Sequence, residues 1–214
     1  MRHRRRGRKL GRNPNHQRAL LRNLASALIL TERDTTDEKH PPKVKGRIVT
    51  TLQKAKEVRP LVERCITIAR HTLPQQDAAD RIEPNAERDS EEWRNWRNSE
   101  GWSEWNKTIA PVVNARRRVL RLLGNKQAVS ILFEELAPRF EDRNGGYCRV
   151  LRIATPRLGD AGPQAILEFV GRNDRVSRRA RRQAPKPSFE PEQPAASPAE
   201  KPAEPAPAAQ GEGQ

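Results

Sequence analysis

The first 22 residues carry nine positive charges and no negative one. Arg2, Arg4, Arg5, Arg6, Arg8, Lys9 and Arg12 all fall within the first dozen positions, which have almost no apolar side chains to bury. A segment of this kind cannot join a core, so folding has to begin after it, and it stays extended until it meets a polyanion. Beside a phosphate backbone each Arg or Lys displaces condensed counterions, which drives association. Arginine also forks onto phosphate oxygens and stacks its flat guanidinium on bases. The plainer alternative is a solubilising or targeting tail. A nucleic-acid-binding arm over residues 1–14 accounts better for the density and single sign of the charge.

The rest of the composition agrees. A net charge of +15 and a pI near 10.9 favour a nucleic acid or an anionic membrane surface as partner. Only 34% of the 214 residues are hydrophobic, enough for one modest core plus appendages. No uninterrupted apolar run is long enough to span a bilayer. Arg22 and Asn23 break the stretch Ala19–Leu30, which argues against a secretory signal; an Arg-rich transit peptide stays an alternative. Cys65 and Cys148 lack CxxC spacing, so neither a disulfide framework nor a zinc knuckle is suggested, and a reducing compartment fits.

Asn13-Pro14 marks a helix start, and Leu21, Leu24, Ala25 and Leu28 give one buried stripe over about Asn15–Leu30. Arg18 and Arg22 lie four apart on a solvent-side face and continue the positive surface of the arm. Residues 34–46 read as a polar loop, and Arg47–Thr50 as a brief strand. A second helix is predicted over Leu52–Thr72, capped by Thr50 or Thr51, kinked or restarted near Arg59 by Pro60, and cationic at Lys54, Lys56 and Arg59.

Residues 74–110 hold nine acidic and five basic residues together with all four tryptophans, Trp93, Trp96, Trp102 and Trp105. This acidic stretch is a poor RNA ligand. It reads as an insertion, mostly loop with one or two short helical turns, whose rings fold back on the domain or dock another protein. Helical spacing returns over Pro111–Leu123, with Arg116, Arg117, Arg118 and Arg121 opposite the core side. Gly124 closes that helix and Asn125 caps the next, which Pro138 ends near Leu136. Tyr147–Ile153 and Gln164–Val170 read as two antiparallel strands joined by a loop with Arg157 at its tip. A basic cluster, Arg172–Arg182, and a Pro/Ala/Glu-rich tail to residue 214, expected to be disordered, complete the chain.

Enzyme chemistry is hard to find. The four histidines share no helix at ligand spacing, so no metal site is expected. Asn144-Gly145-Gly146 lacks the Lys-Ser/Thr of a phosphate-cradling loop and precedes a strand, so a hairpin turn explains it. No acid/base pair or nucleophile elbow is present. We therefore expect no catalytic residue, no cofactor and no small-molecule substrate. A DNA-binding or other RNA-binding architectural protein, and more remotely a nuclease or RNA-modifying enzyme, stay open on residues alone.

A set of motifs in order narrows the choice. Met1-Arg2-His3-Arg4, Gly7-Arg8-Lys9-Leu10, Ala19–Ala25, Thr50-Thr51 with Lys54-Ala55-Lys56-Glu57, Ala137-Pro138-Arg139-Phe140, Arg143–Tyr147 and Gly159-Asp160 recur together. The chain thereby resembles the bacterial large-subunit ribosomal protein seventeen family over residues 1–33, 47–73 and about 111–171. The resemblance implies a two-layer α+β fold of order α-β-α-α-α-β-β over residues 15–171, the order that the periodicity also suggests. It implies a non-enzymatic constituent of the bacterial ribosome in the cytoplasm. Such a protein binds large-subunit ribosomal RNA near the peptide tunnel exit, beside neighbouring ribosomal proteins. The family's RNA contacts carry over to Arg2, His3, Arg4, Arg8, Lys9, Arg12, Arg22, Lys54, Lys56, Arg139, Arg143 and Arg157; Arg5, Arg6 and Arg18 join them by charge and position. The chain departs from the family pattern at Cys148, where Thr is usual, and at Leu158, where a second basic residue is usual. Residues 34–46 and 74–110 are insertions relative to that pattern.

Overall fold

Two segments alternate apolar and helical well enough to seed the fold. Helix α1 spans Pro14–Leu30, with the Asn13 side chain accepting from the Asn15 N–H and Pro14 in the first turn, where no N–H is needed. Helix α2 spans Leu52–Arg70 and buries Leu52, Ala55, Val58, Val62, Cys65, Ile66 and Ala69. The computed structural model describes residues 7–33, 35 and 41–171; the expectations for Arg2–Arg6, for most of the loop after residue 33 and for the tail from 172 lie outside them. Among the described residues the elements follow in the order α1, β1 (Arg47–Thr51), α2, α3 (Leu73–Ile82), α4 (Glu91–Arg97), α5 (Glu100–Leu123), α6 (Lys126–Ile131), a π-helical turn (Leu132–Leu136), α7 (Ala137–Arg139), β2 (Cys148–Arg152) and β3 (Gln164–Phe169).

The strands form one antiparallel sheet in the order β1-β3-β2. The register sets Ile48, Leu167 and Val150 side by side across the three strands, and likewise Arg47, Glu168 and Arg149. Rows one residue apart face opposite ways. One face therefore packs on the helical layer, chiefly on α2. On the other face Val49 stays 59% exposed and Leu151 42%. Phe140 joins the layers, with its ring 5.2 Å from Tyr147 and 6.3 Å from Phe169. Gly46 opens the sheet with φ +67°; its N–H donates to Thr31 Oγ1 (2.9 Å) and its carbonyl accepts from the Phe169 N–H (2.9 Å). A side chain here would meet both an unfavourable φ and the Glu32 carboxylate.

Glu168 is the charged side chain most deeply set in the sheet, at 5% exposure, between the guanidinium groups of Arg47 (2.7 Å) and Arg149. Burial alone would raise its pKa, but hydrogen bonds from Arg149 and Arg47 outweigh it and hold the carboxyl below the ordinary glutamate value.

Three expectations need correction. Helix α2 runs through Pro60 without a restart, because the buried stripe continues on both sides and Pro60 itself is exposed. The insertion is helical, not mostly loop: α3 buries Leu73 and Ala79, and α5 begins eleven residues before Pro111. Trp102, Trp105, Ile109 and Val112 extend the helical face of α5 backward, and Pro111 sits on an exposed side of it. Pro138 does not stop the chain at Leu136. The widened π-turn buries Leu132, Phe133 and Leu136, and Pro138 then falls in the first turn of α7, where its missing N–H costs little.

Candidate nucleic-acid interface

The described part of the arm is anchored at two points. The Gly7 N–H donates to Glu57 Oε1 of α2 (3.0 Å), and Gln17 Nε2 of α1 donates to the Arg8 carbonyl (2.7 Å). These bonds hold Arg8, Lys9 and Arg12 where the start of α1 meets the first two turns of α2, which carry Lys54 and Lys56. Neither helix has an acidic residue in its first turn, so the positive ends of both dipoles stand uncompensated there. Arg18 is exposed one turn before Arg22. Arg22 Nη2 donates to the Arg121 carbonyl (2.8 Å), tying α1 to the last turn of α5, where Arg117, Arg118 and Arg121 are exposed. Among the described residues Arg8, Lys9, Arg12, Arg18, Lys54 and Lys56 have no ion-pair partner. Uncompensated cations on three adjoining elements can neutralise several phosphates at once.

The other named cations sit differently. Arg139 Nη1 pairs with Glu32 Oε1 at 3.0 Å, and its guanidinium lies 5.5 Å from the Phe140 ring centre. Glu32 follows the far end of α1, about 21 Å along the helix from Arg18 at 1.5 Å per residue. Arg157 is forked onto Asp160, with Nε 2.9 Å from Oδ1 and a second bond from Nη2 to Oδ2. That hydrogen bond, helped by the Gly162 N–H, lowers the Asp160 pKa to about 2, so the loop tip keeps its two charges matched. Leu158 beside them is 97% exposed. Arg143 Nε donates to the Gly146 carbonyl at 3.2 Å. Arg116, half-buried, lies 5.0 Å from the Phe133 ring centre and serves packing. Hydrogen bonds thus tie the arm bearing Arg8, Lys9 and Arg12 to α1, which bears Arg18 and Arg22, and to α2, which bears Lys54 and Lys56. The loop of Arg157 also reaches the start of α2, where the Leu52 N–H donates to the Pro163 carbonyl (3.0 Å), whereas Arg139 and Arg143 lie by the far ends of α1 and α2.

Arg70 was absent from the sequence-based set. Its guanidinium donates to the carbonyls of Glu141 (3.3 Å) and Arg143 (2.9 Å), fixing the loop that carries Arg143. Its only signal in the sequence is a cation in the last turn of α2, off the apolar stripe. Next to it, between α2 and α5, a cavity of about 330 Å³ is lined by His71, Asn114 and Arg118 among others.

Both cysteines are buried. Burial pushes the Cys65 thiol up to about 12 and raises that of Cys148 as well, so both are protonated at neutral pH and unsuited to nucleophilic work. Among the described residues no group of three or more His, Cys, Asp or Glu side chains is arranged to hold a metal ion, and no helix is long and apolar enough to cross a membrane.

Residues 20–170 match the family model described as Ribosomal protein L17. The chain is 58% identical over 194 residues to a protein of Rhodopirellula baltica named large ribosomal subunit protein bL17, covering 91% of this chain and 90% of that one. Proteins of the same name from Nitratidesulfovibrio vulgaris and Acidobacterium capsulatum are 36% and 31% identical. Those two matches cover 79% and 86% of this chain, and 87% and 81% of the relatives.

Proposed function

The chain belongs to the ribosomal protein L17 family, a structural constituent of the large ribosomal subunit, and from this we propose that it binds and stabilises large-subunit ribosomal RNA near the exit of the peptide tunnel. The observation that carries the reading is the group of uncompensated cations where the arm, α1 and α2 meet. Arg8, Lys9, Arg12, Arg18, Arg22, Lys54 and Lys56 neutralise phosphates where RNA helices crowd one another, and Arg2, His3, Arg4, Arg5 and Arg6 extend the contact along the arm. Arg139 and Arg157 contribute more weakly, because Glu32 and Asp160 already balance their charges, and Arg143 adds to the contact from the end of α2. A-form RNA hides its bases in a deep, narrow groove, so shape and backbone are read and sequence barely is. Neighbouring ribosomal proteins complete the surroundings, in the bacterial cytoplasm.

Sedimentation tests this reading. The chain should travel with the large subunit through a sucrose gradient, and leave it when the seven grouped cations are replaced by Ser or Gln. A variant that stays bound in full would refute the assignment.

A further inference from the structure

The four tryptophans stand apart from both the core and the cationic group. Trp102 and Trp105 stack at 5.1 Å with an interplanar angle of 18°, and Trp96 meets them edge-on at 5.3 and 6.0 Å. Trp93 meets Trp102 edge-on at 6.5 Å. All four rings are only half-buried and none belongs to the hydrophobic core. With Glu83 and Arg88 they line a cavity of about 320 Å³. At Glu83 and Ala86 this cavity adjoins an open trough of about 550 Å³ that bears Asp80, Glu83 and Glu87. All three carboxylates are exposed.

We propose that the cavity formed by α4, α5 and the segment before them docks an arginine-bearing basic segment of another polypeptide. Charge and ring chemistry both select that occupant. Residues 80–104 hold eight carboxylates and four arginines in a chain whose net charge is +15, so this corner is acidic where the remainder is basic. Phosphate is repelled there and a cation is drawn in. Indole faces attract guanidinium groups through the ring quadrupole. The protein already uses its own rings in this way: the Arg97 guanidinium lies 5.1 Å from the Trp93 ring centre and 5.5 Å from that of Trp102. An incoming arginine would lay its guanidinium on an indole face that lines the cavity, with Glu83 beside it, while a second cation two or three residues away settles among Asp80, Glu83 and Glu87. Half-buried tryptophans are a frequent source of binding energy at protein interfaces. The proposal is independent of the RNA reading, since it concerns a different and oppositely charged surface.

Because the chain has no tryptophan outside this cluster, intrinsic tryptophan emission reports on it alone. Titrating hexa-arginine into the full-length protein should shift that emission saturably. Changing Glu83→Lys together with Glu87→Lys, both exposed and therefore tolerated by the fold, should weaken the binding about tenfold with the circular dichroism unchanged. An emission unmoved by hexa-arginine overturns the proposal, as does an equal response from the double variant. So does an emission that answers a single-stranded oligonucleotide and not the peptide. If replacing Arg175, Arg178, Arg179, Arg181 and Arg182 by Ser tightens peptide binding about tenfold, the chain's own tail is the occupant and a partner is not.

Discussion

Removing residues 1–12 should flatten the dependence of log affinity on log salt for a large-subunit rRNA fragment by about five units. The segment carries seven of the nine cations in the first 22 residues, and each phosphate neutralised contributes about 0.7 to 0.9 to the slope. The accompanying loss of affinity at moderate salt is about 10³-fold or more, because that many released counterions dominate non-specific binding. Replacing Arg139 and Arg157 by Gln should move the slope by less than about one unit, since Glu32 and Asp160 already balance them. Fluorescence anisotropy over a salt series measures both effects. A slope untouched by loss of the arm, or changed as much by the two paired arginines, would contradict the division drawn among the cations.

Replacing Arg47 and Arg149 together by Met should destabilise the fold by about 3 kcal/mol at neutral pH, because it strands the Glu168 carboxylate. This is the low end of the range for an uncompensated buried charge; the arginine side chains are 38% and 47% exposed, and solvent screening discounts their contribution. The pH dependence gives a sharper test. In the natural chain the Glu168 pKa is lowered, so its stabilising contribution is fully present above the ordinary glutamate value and is lost as pH falls through the lowered one. In the double variant burial acts unopposed and raises that pKa. Its penalty is then present at neutral pH and is relieved on acidification. Urea titrations at several pH values should show the gap between the two proteins closing as pH drops. A gap that is constant with pH would mean that Glu168 is not the group responsible.

Much of the framework could be read directly from the chain. The Asn13 cap, the Gly124-Asn125 boundary with φ +75° at the glycine, and the three strands stand close to where turn chemistry and periodicity put them. Capping and alternation are local, and local signals survive folding. The insertion was harder because its apolar stripe is sparse and interrupted by charge, and because Pro111 resembles a helix start when it is an exposed interior residue. Pairing between distant charges was not legible either. Arg139 and Glu32 are 107 positions apart, and only the packing of α1 against the chain near α7 brings them together. Arg157 and Asp160 are three apart, and that short spacing was a signal the turn dipeptide Gly159-Asp160 obscured. What separates the paired arginines from the grouped ones is thus the location of acidic neighbours, not the number of basic residues.

Competition between a folded large-subunit rRNA fragment and duplex DNA of equal length, at matched salt, tests most directly whether the arm and the first turns of α1 and α2 form an RNA-binding surface. The protein should prefer the RNA by about tenfold or more, and neutralising Arg8, Lys9, Arg12, Arg18, Arg22, Lys54 and Lys56 should abolish that preference. Equal competition by DNA, or an RNA preference that survives loss of those seven charges, would contradict it.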